Sequence, residues 1–187
     1  METRVSREAS PVSRGVPPVR GAAPAVRQPT PGSIPADGLH LTGARIDVAR
    51  ARKAFETAIG ASQGEERHIQ SAIATLDPAG VSGAGDPVVR DLMVARDLLG
   101  QVRASLGQAR DNLDKPLSAI EAASRALDKH VAMYDTLKEA RRNLHEGSYG
   151  RLSPSEEATL GEIDDALRAA IFTQTRIVLA QDAVENP

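Results

Sequence analysis

Three consecutive seven-residue segments, ARDLLGQ, VRASLGQ and ARDNLDK, occupy residues 95–115 of the chain. In and around them the apolar residues are spaced alternately by four and by three, the pattern of an α-helix packed lengthwise against another helix. A β-strand would show alternation every second residue instead. The apolar positions are Val88, Leu92, Ala95, Leu99, Val102, Leu106, Ala109 and Leu113. The repeat therefore predicts an all-α protein of long helices lying side by side.

The same repeat places cationic and small residues on fixed lines along the predicted helix. Arg96, Arg103 and Arg110 fall beside the apolar seam, where long cationic side chains cover apolar contacts and meet carboxylates of a neighbouring helix. Gly100 and Gly107 share another line. Glycine inside a helix costs about 1 kcal/mol relative to alanine. This line therefore indicates either close approach of a second backbone or a heptad that was duplicated together with its glycine.

Length and composition limit the classes of protein that remain. The chain has 187 residues, enough for one domain with a core, and only four aromatic residues, which favours thin helix-on-helix packing. The absence of cysteine excludes disulfides, thiolate zinc sites and cysteine nucleophiles. No run of 18 apolar residues is present, so we expect no membrane span. Residues 1–36 contain no secretory apolar segment, which leaves a cytoplasmic location or secretion without a cleaved signal peptide.

The N-terminal region differs from the rest in composition. Residues 1–36 hold seven of the twelve prolines, five arginines and two glutamates, so their formal charge is +3 and that of the remainder is −5. Proline at this density opposes helices and strands, and the apolar content is too low to offset the entropy of ordering. We predict a disordered arm over residues 1–38 and a helical bundle over residues 39–187.

Apolar periodicity predicts helices at about residues 41–76, 87–145 and 154–185. Asp86–Pro87 and Ser153–Glu156 are typical helix starts, because each combines a capping side chain with proline in the first turn. Ser62 with Glu65 has the spacing of a capping box, so the first helix could break and restart there.

Pro116 leaves two arrangements open. The second helix either bends at Pro116, giving an elongated bundle of three long helices, or ends in a turn near Asn112–Pro116, giving four helices of similar length. We favour the kinked helix, because residues 112–116 lack the glycine that usually ends a helix.

The sequence offers no recognised catalytic or metal-binding motif, and we predict no enzyme activity and no cofactor. The four histidines lack the spacing of a helical zinc site and the company of a carboxylate in a known arrangement, so we expect them at the surface or at helix ends. Adjacent acids such as Glu65 and Glu66 are typical of a solvated face. Nucleic-acid binding is disfavoured, because acids follow two of the seam arginines, the predicted bundle is acidic and aromatics for stacking are few.

The segment Ile171–Ala180 is apolar on more than one side of its helix, so we expect it to be central in the bundle or to meet a partner. These patterns indicate a non-enzymatic helical interaction module whose partner is a protein, either a second copy of the chain or the helix of another protein. The predicted interaction seam comprises Leu92, Leu99, Val102, Leu106, Leu113, Arg96, Arg103, Arg110, Ile171, Ile177 and Val178.

Two resemblances suggest alternatives. The serine-, proline- and arginine-rich, acid-poor residues 1–36 look like the uncleaved export signals of bacterial virulence proteins secreted through needle-type systems. Gly100-Gln-Val102-Arg103 resembles the Gly-x-Leu-Arg turn of the helical-bundle GTPase-activating domains that some bacteria inject into host cells, which implies a phosphate-stabilising role for Arg103. Gly107 stands where those domains place a threonine, and their Gln-x-Gly-Thr motif is missing.

Overall fold

The computed structural model describes residues 47–80, 85–148 and 151–186. Over these residues the chain forms four helices and no strand, which confirms the all-α prediction. The helices are α1 (Val48–Leu76), α2 (Pro87–Asp111), α3 (Pro116–Gly147) and α4 (Pro154–Glu185). The predicted arm and the first positions of the first predicted helix lie outside the described residues.

Side-chain caps are present at three of the helix starts, those of α1, α2 (Asp86) and α4. Asp47 Oδ1 accepts a hydrogen bond from the backbone N–H of Arg50 at 3.0 Å at the start of α1. At the start of α4, Ser153 and Glu156 form a reciprocal capping box, in which each side chain accepts a hydrogen bond from the other's backbone N–H. Pro154 follows as the first helical residue, where no N–H donor is needed. α4 therefore spans the predicted residues.

The chain reverses direction between α2 and α3. Asn112 ends α2, with its backbone N–H 3.1 Å and its side-chain Nδ2 2.9 Å from the carbonyl oxygen of Gln108. The N–H of Lys115 then donates to the carbonyl of Asn112 at 2.8 Å, and Pro116 begins α3. The favoured kinked helix is therefore wrong, and the four-helix alternative is correct. No glycine is required because Asn112 closes α2 at a φ of −102°.

α1 does not break at Ser62. The Ser62 hydroxyl donates to the carbonyl oxygen of Ile59 at 2.7 Å, a bond to the preceding turn that a helix interior accommodates. Both Ser62 and Glu65 are fully buried. The two residues therefore face the core of a continuous helix, and the predicted break is absent.

The four helices form a ring in chain order. α1 and α3 each pack against both α2 and α4, so α1 and α3 lie on a diagonal. The first and last helices run antiparallel, since Ser71 near the end of α1 donates to Glu162 near the start of α4 at 2.9 Å. α4 also runs antiparallel to α3, since Gln181 near its end lies 3.5 Å from the hydroxyl of Ser124 near the start of α3. The ring encloses a core made largely of alanine, leucine and isoleucine.

Candidate interaction surface

The apolar seam of α2 lies inside the bundle. Its predicted members are at most 4% exposed: Leu92, Leu99, Val102, Leu106 and Leu113. They belong to one core that all four helices share. The contact predicted for this seam is therefore made by helices of the same chain, and an external partner reaches none of these residues in the folded bundle.

The seam arginines are engaged with carboxylates. Arg103 Nη2 donates to Glu66 Oε1 at 3.0 Å and Nη1 donates to the other carboxylate oxygen, so the pair joins α2 to α1. These hydrogen bonds hold the pKa of the Glu66 carboxyl below its ordinary value. Arg96 and Arg110 each bond the aspartate that follows directly, at 3.4 and 2.9 Å. Gly100–Arg103 lies in the interior of α2, and Arg103 presents no free guanidinium to a phosphate.

The α4 residues of the predicted interaction seam lie on two different faces of the helix. Ile177 is fully buried, whereas Ile171 and Val178 are 58% and 47% exposed. Phe172 and Leu179, which are 52% and 49% exposed, lie beside them. The other exposed large apolar residues of the described chain are spread over α1, α2 and α3. α4 therefore carries the densest exposed apolar surface among the described residues.

This surface has its own helical seam. Arg168, Ile171, Thr175, Val178 and Asp182 are all exposed and follow one another at spacings of three, four, three and four. That spacing is the one by which helices pack lengthwise. We define the α4 outer face as these five residues together with Phe172 and Leu179.

Polar groups within the α4 outer face are satisfied without a partner. The Thr175 hydroxyl donates to the carbonyl oxygen of Ile171 at 3.0 Å, so covering it would leave no orphaned donor. The Arg176 guanidinium lies 4.6 Å from the ring centroid of Phe172, a cation–π contact. Aromatic residues and arginine are both enriched in protein interfaces.

Shallow grooves border α4 on both sides. Tyr134, Leu167 and Ile171 line a groove of about 250 Å³ between α3 and α4. Ala54 and Leu179 line another of about 200 Å³ between α1 and α4. Each groove has room for side chains of a helix lying along α4.

A polar cluster bridges α1 and α4. The ligand atoms of His68, Glu162 and Asp165 lie within 4.8 Å of one another, a spacing that a metal ion could use. His68 Nδ1 is 2.8 Å from Glu162 Oε2, and Ser71 donates to the other oxygen of that carboxylate. Arg168 donates to Asp165. Since hydrogen bonds within the chain engage all three groups, we interpret the cluster as a link between helices.

His130 departs from the sequence-based expectation. It is fully buried on α3, and its Nε2 lies 3.3 Å from Oε2 of Glu65 on α1. The prediction of a surface or helix-end histidine is therefore wrong for His130, and Glu65 does not lie on a solvated face. His68 also has a carboxylate partner, Glu162, which no sequence motif indicated.

The geometry of the described residues defines an antiparallel four-helix bundle with an exposed apolar face on α4. No family model, curated protein or solved structure matches the chain. Among the described helices none has the length and apolarity to cross a membrane.

Proposed function

We propose that this chain is a non-enzymatic interaction module that associates with a second copy of itself through the α4 outer face. The observation that carries this proposal is the group of four large apolar side chains, each about half exposed, that lie on and beside one helical seam. Burial of such a side chain from full exposure stabilises by about 1.5–3 kcal/mol, so covering its exposed half contributes roughly half of that. The face therefore retains a driving force for association that the bundle itself does not use.

Charge supports a second copy as the partner. The apolar part of the face lies between Arg168 toward the start of α4 and Asp182 toward its end, both exposed. A twofold dimer requires one surface that complements itself. A face with an apolar centre, one cation and one anion meets that requirement.

The size of the face indicates a reversible complex. Seven residues contribute per copy, fewer than the roughly 20–30 per side of a standard interface. We therefore expect dissociation on dilution. Size-exclusion chromatography with light scattering of the full chain, over a wide concentration range, should show the mass rising from monomer toward dimer.

Matched variants test whether the α4 outer face is responsible. Val178→Glu places a charge among the apolar residues of the face and should keep the chain monomeric at every concentration. Leu117→Glu changes an even more exposed apolar residue, 62% exposed at the start of α3, and should associate like the parent. A parent chain that stays monomeric throughout, or a dimer that Val178→Glu leaves intact, overturns the proposal.

The composition of residues 1–36 supports a second proposal, export through a needle-type secretion system with this segment as the signal. Five arginines, seven prolines and two acids give it the character of such signals. Fusion of residues 1–36 to a reporter in a secretion-competent strain tests the proposal, with a strain lacking the secretion apparatus as control. Retention of the reporter in both strains would contradict it.

A further inference from the structure

We propose that the two copies pair α4 against α4 in opposite directions, with Thr175 of one copy facing Thr175 of the second copy. This inference rests on the proposed self-association and adds the direction, the register and the residues that select them. It follows from the order of side chains along the α4 outer face.

The α4 outer face is symmetric in spacing about Thr175. Arg168 precedes Thr175 by seven residues, and Asp182 follows it by seven. In an antiparallel pair, residues equally far from the centre on opposite sides lie at the same level. Arg168 of each copy then lies level with Asp182 of the second copy, so the dimer contains two pairs of opposite charge.

The apolar residues match in the same register. Ile171 and Phe172 lie four and three residues before Thr175, and Leu179 and Val178 lie four and three residues after it. Ile171 therefore meets Leu179 of the second copy, and Phe172 meets Val178 of the second copy. The twofold symmetry repeats both contacts on the other side of Thr175. All four half-exposed side chains are covered by apolar partners in this arrangement.

A parallel pair in register would bring like charges together. Each residue would then face its own counterpart, so that Arg168 would lie against Arg168 of the second copy and Asp182 against Asp182 of the second copy. Like charges opposed across an interface are unfavourable and exclude wrong arrangements. The charge pattern therefore selects the antiparallel direction.

The present hydrogen bonds of Arg168 and Asp182 do not prevent these residues from pairing with each other across the dimer. Arg168 bonds Asp165 on its own helix, but their side chains are 73% and 47% exposed, and pairs this exposed contribute little. Asp182 accepts a hydrogen bond from the Asn186 side chain at 2.7 Å and keeps a second carboxylate oxygen. Thr175 at the centre is small enough for the two helices to approach closely.

Single cysteines test the direction directly, because the chain has none of its own. Under mild oxidation of the full chain, Thr175→Cys should form a disulfide-linked dimer rapidly. Ile171→Cys alone should not, since two copies of residue 171 lie about 12 Å apart along antiparallel helices. A mixture of Ile171→Cys and Leu179→Cys chains, one carrying a size tag, should give the mixed dimer.

Exchange of the charges tests the selecting residues. Arg168→Asp and Asp182→Arg should each raise the dissociation constant about tenfold, because each turns two attractive pairs into repulsive ones. The double variant Arg168→Asp/Asp182→Arg should bind nearly as tightly as the parent. Leu117→Glu again serves as the control for a surface change elsewhere.

The outcomes separate this inference from the proposed function. A concentration-dependent dimer in which Ile171→Cys links to itself faster than Thr175→Cys overturns the antiparallel pairing and leaves self-association standing. Failure of the double charge variant to recover binding also overturns it. A parent chain that never dimerises removes both proposals.

Discussion

Glu65 and His130 meet across the diagonal of the bundle, with Glu65 Oε2 3.3 Å from His130 Nε2 and both side chains fully buried. They come from α1 and α3, which are not neighbours in the ring. Glu65 Oε1 and His130 Nδ1 have no hydrogen-bond partner among the described residues. Each side chain thus depends on the other for its polar contact in an aliphatic core.

Breaking this pair on one side should destabilise the bundle strongly. His130→Leu leaves the Glu65 carboxyl group buried without its hydrogen-bond partner, which typically costs about 1–3 kcal/mol. Glu65→Met should have an effect of the same order, because it strands the imidazole. Urea denaturation followed by circular dichroism at 222 nm measures the free energy of unfolding for each variant.

The double variant Glu65→Met/His130→Leu distinguishes pairing from packing. It removes both polar groups and keeps apolar volume at both sites, so it should be much more stable than the sum of the single changes predicts. Simple additivity of the two losses would show that the contact carries no coupling energy.

The pair between Glu66 and Arg103 should make stability depend on pH in the acid range. Its hydrogen bonds lower the pKa of Glu66 in the folded chain. The stabilisation is therefore complete above the ordinary glutamate pKa and is lost as the pH falls through the folded value. After screening by solvent we expect about 1 kcal/mol.

Glu66→Gln should remove that increment at neutral pH and flatten the acid part of the stability profile. Glu121→Gln, at an exposed position on α3, is the control and should follow the parent profile. Denaturation curves at closely spaced pH values make the comparison. Identical profiles for Glu66→Gln and the parent would contradict the role given to this pair.

Substitution of alanine for Gly100 or Gly107 in α2 should stabilise the protein. Apart from the adjacent backbone of α2 itself, a Cβ atom added at Gly100 or Gly107 would meet no atom of the described chain within 4 Å. No helix of this bundle approaches closely there, so the duplicated-heptad interpretation is favoured. Gly100→Ala and Gly107→Ala should each add about 1 kcal/mol and be nearly additive. A loss of stability in thermal unfolding would point to a contact outside the bundle.

Substitution of alanine for a leucine of the α2 seam should show that this seam belongs to the hydrophobic core. Leu99 is fully buried, and Leu99→Ala should cost about 2–5 kcal/mol by transfer and cavity effects. Leu117→Ala, at a residue 62% exposed, should change stability by no more than about 0.5 kcal/mol. Equal midpoints of denaturation for the two variants would contradict the assignment of Leu99 to the core.

Local sequence signals predicted much of the fold. The spacing through Leu92, Leu99 and Leu106 identified the buried face of α2, and the Ser153–Glu156 signature located the start of α4. These predictions succeed because periodicity and capping depend on residues within one or two helical turns. The end of α2 was only the less favoured of two alternatives, because Asn112 closes the helix with ordinary backbone angles in place of a glycine.

The polar contacts between helices could not be predicted from local patterns. Glu65 and Ser62 have capping-box spacing, and nothing nearby in sequence indicates that the partner of Glu65 is His130. One signal was present, since Glu65 continues the apolar stripe from Phe55 toward Ile69 at helical spacing. The α4 outer face was anticipated only as an excess of apolar residues, because which side faces outward depends on where α1 and α3 pack.

The ring order of the helices has a consequence for folding. Three of the four packed helix pairs join segments that follow one another in the chain, and only the contact between α1 and α4 spans most of its length. Local pairs form fast, whereas closing a long loop carries an entropic cost. We therefore expect the contact between α1 and α4 to form last on the way to the native state and to open first when the protein unfolds. A second copy held along α4 would slow that opening, so the protein should survive proteolysis longer at high concentration than at low.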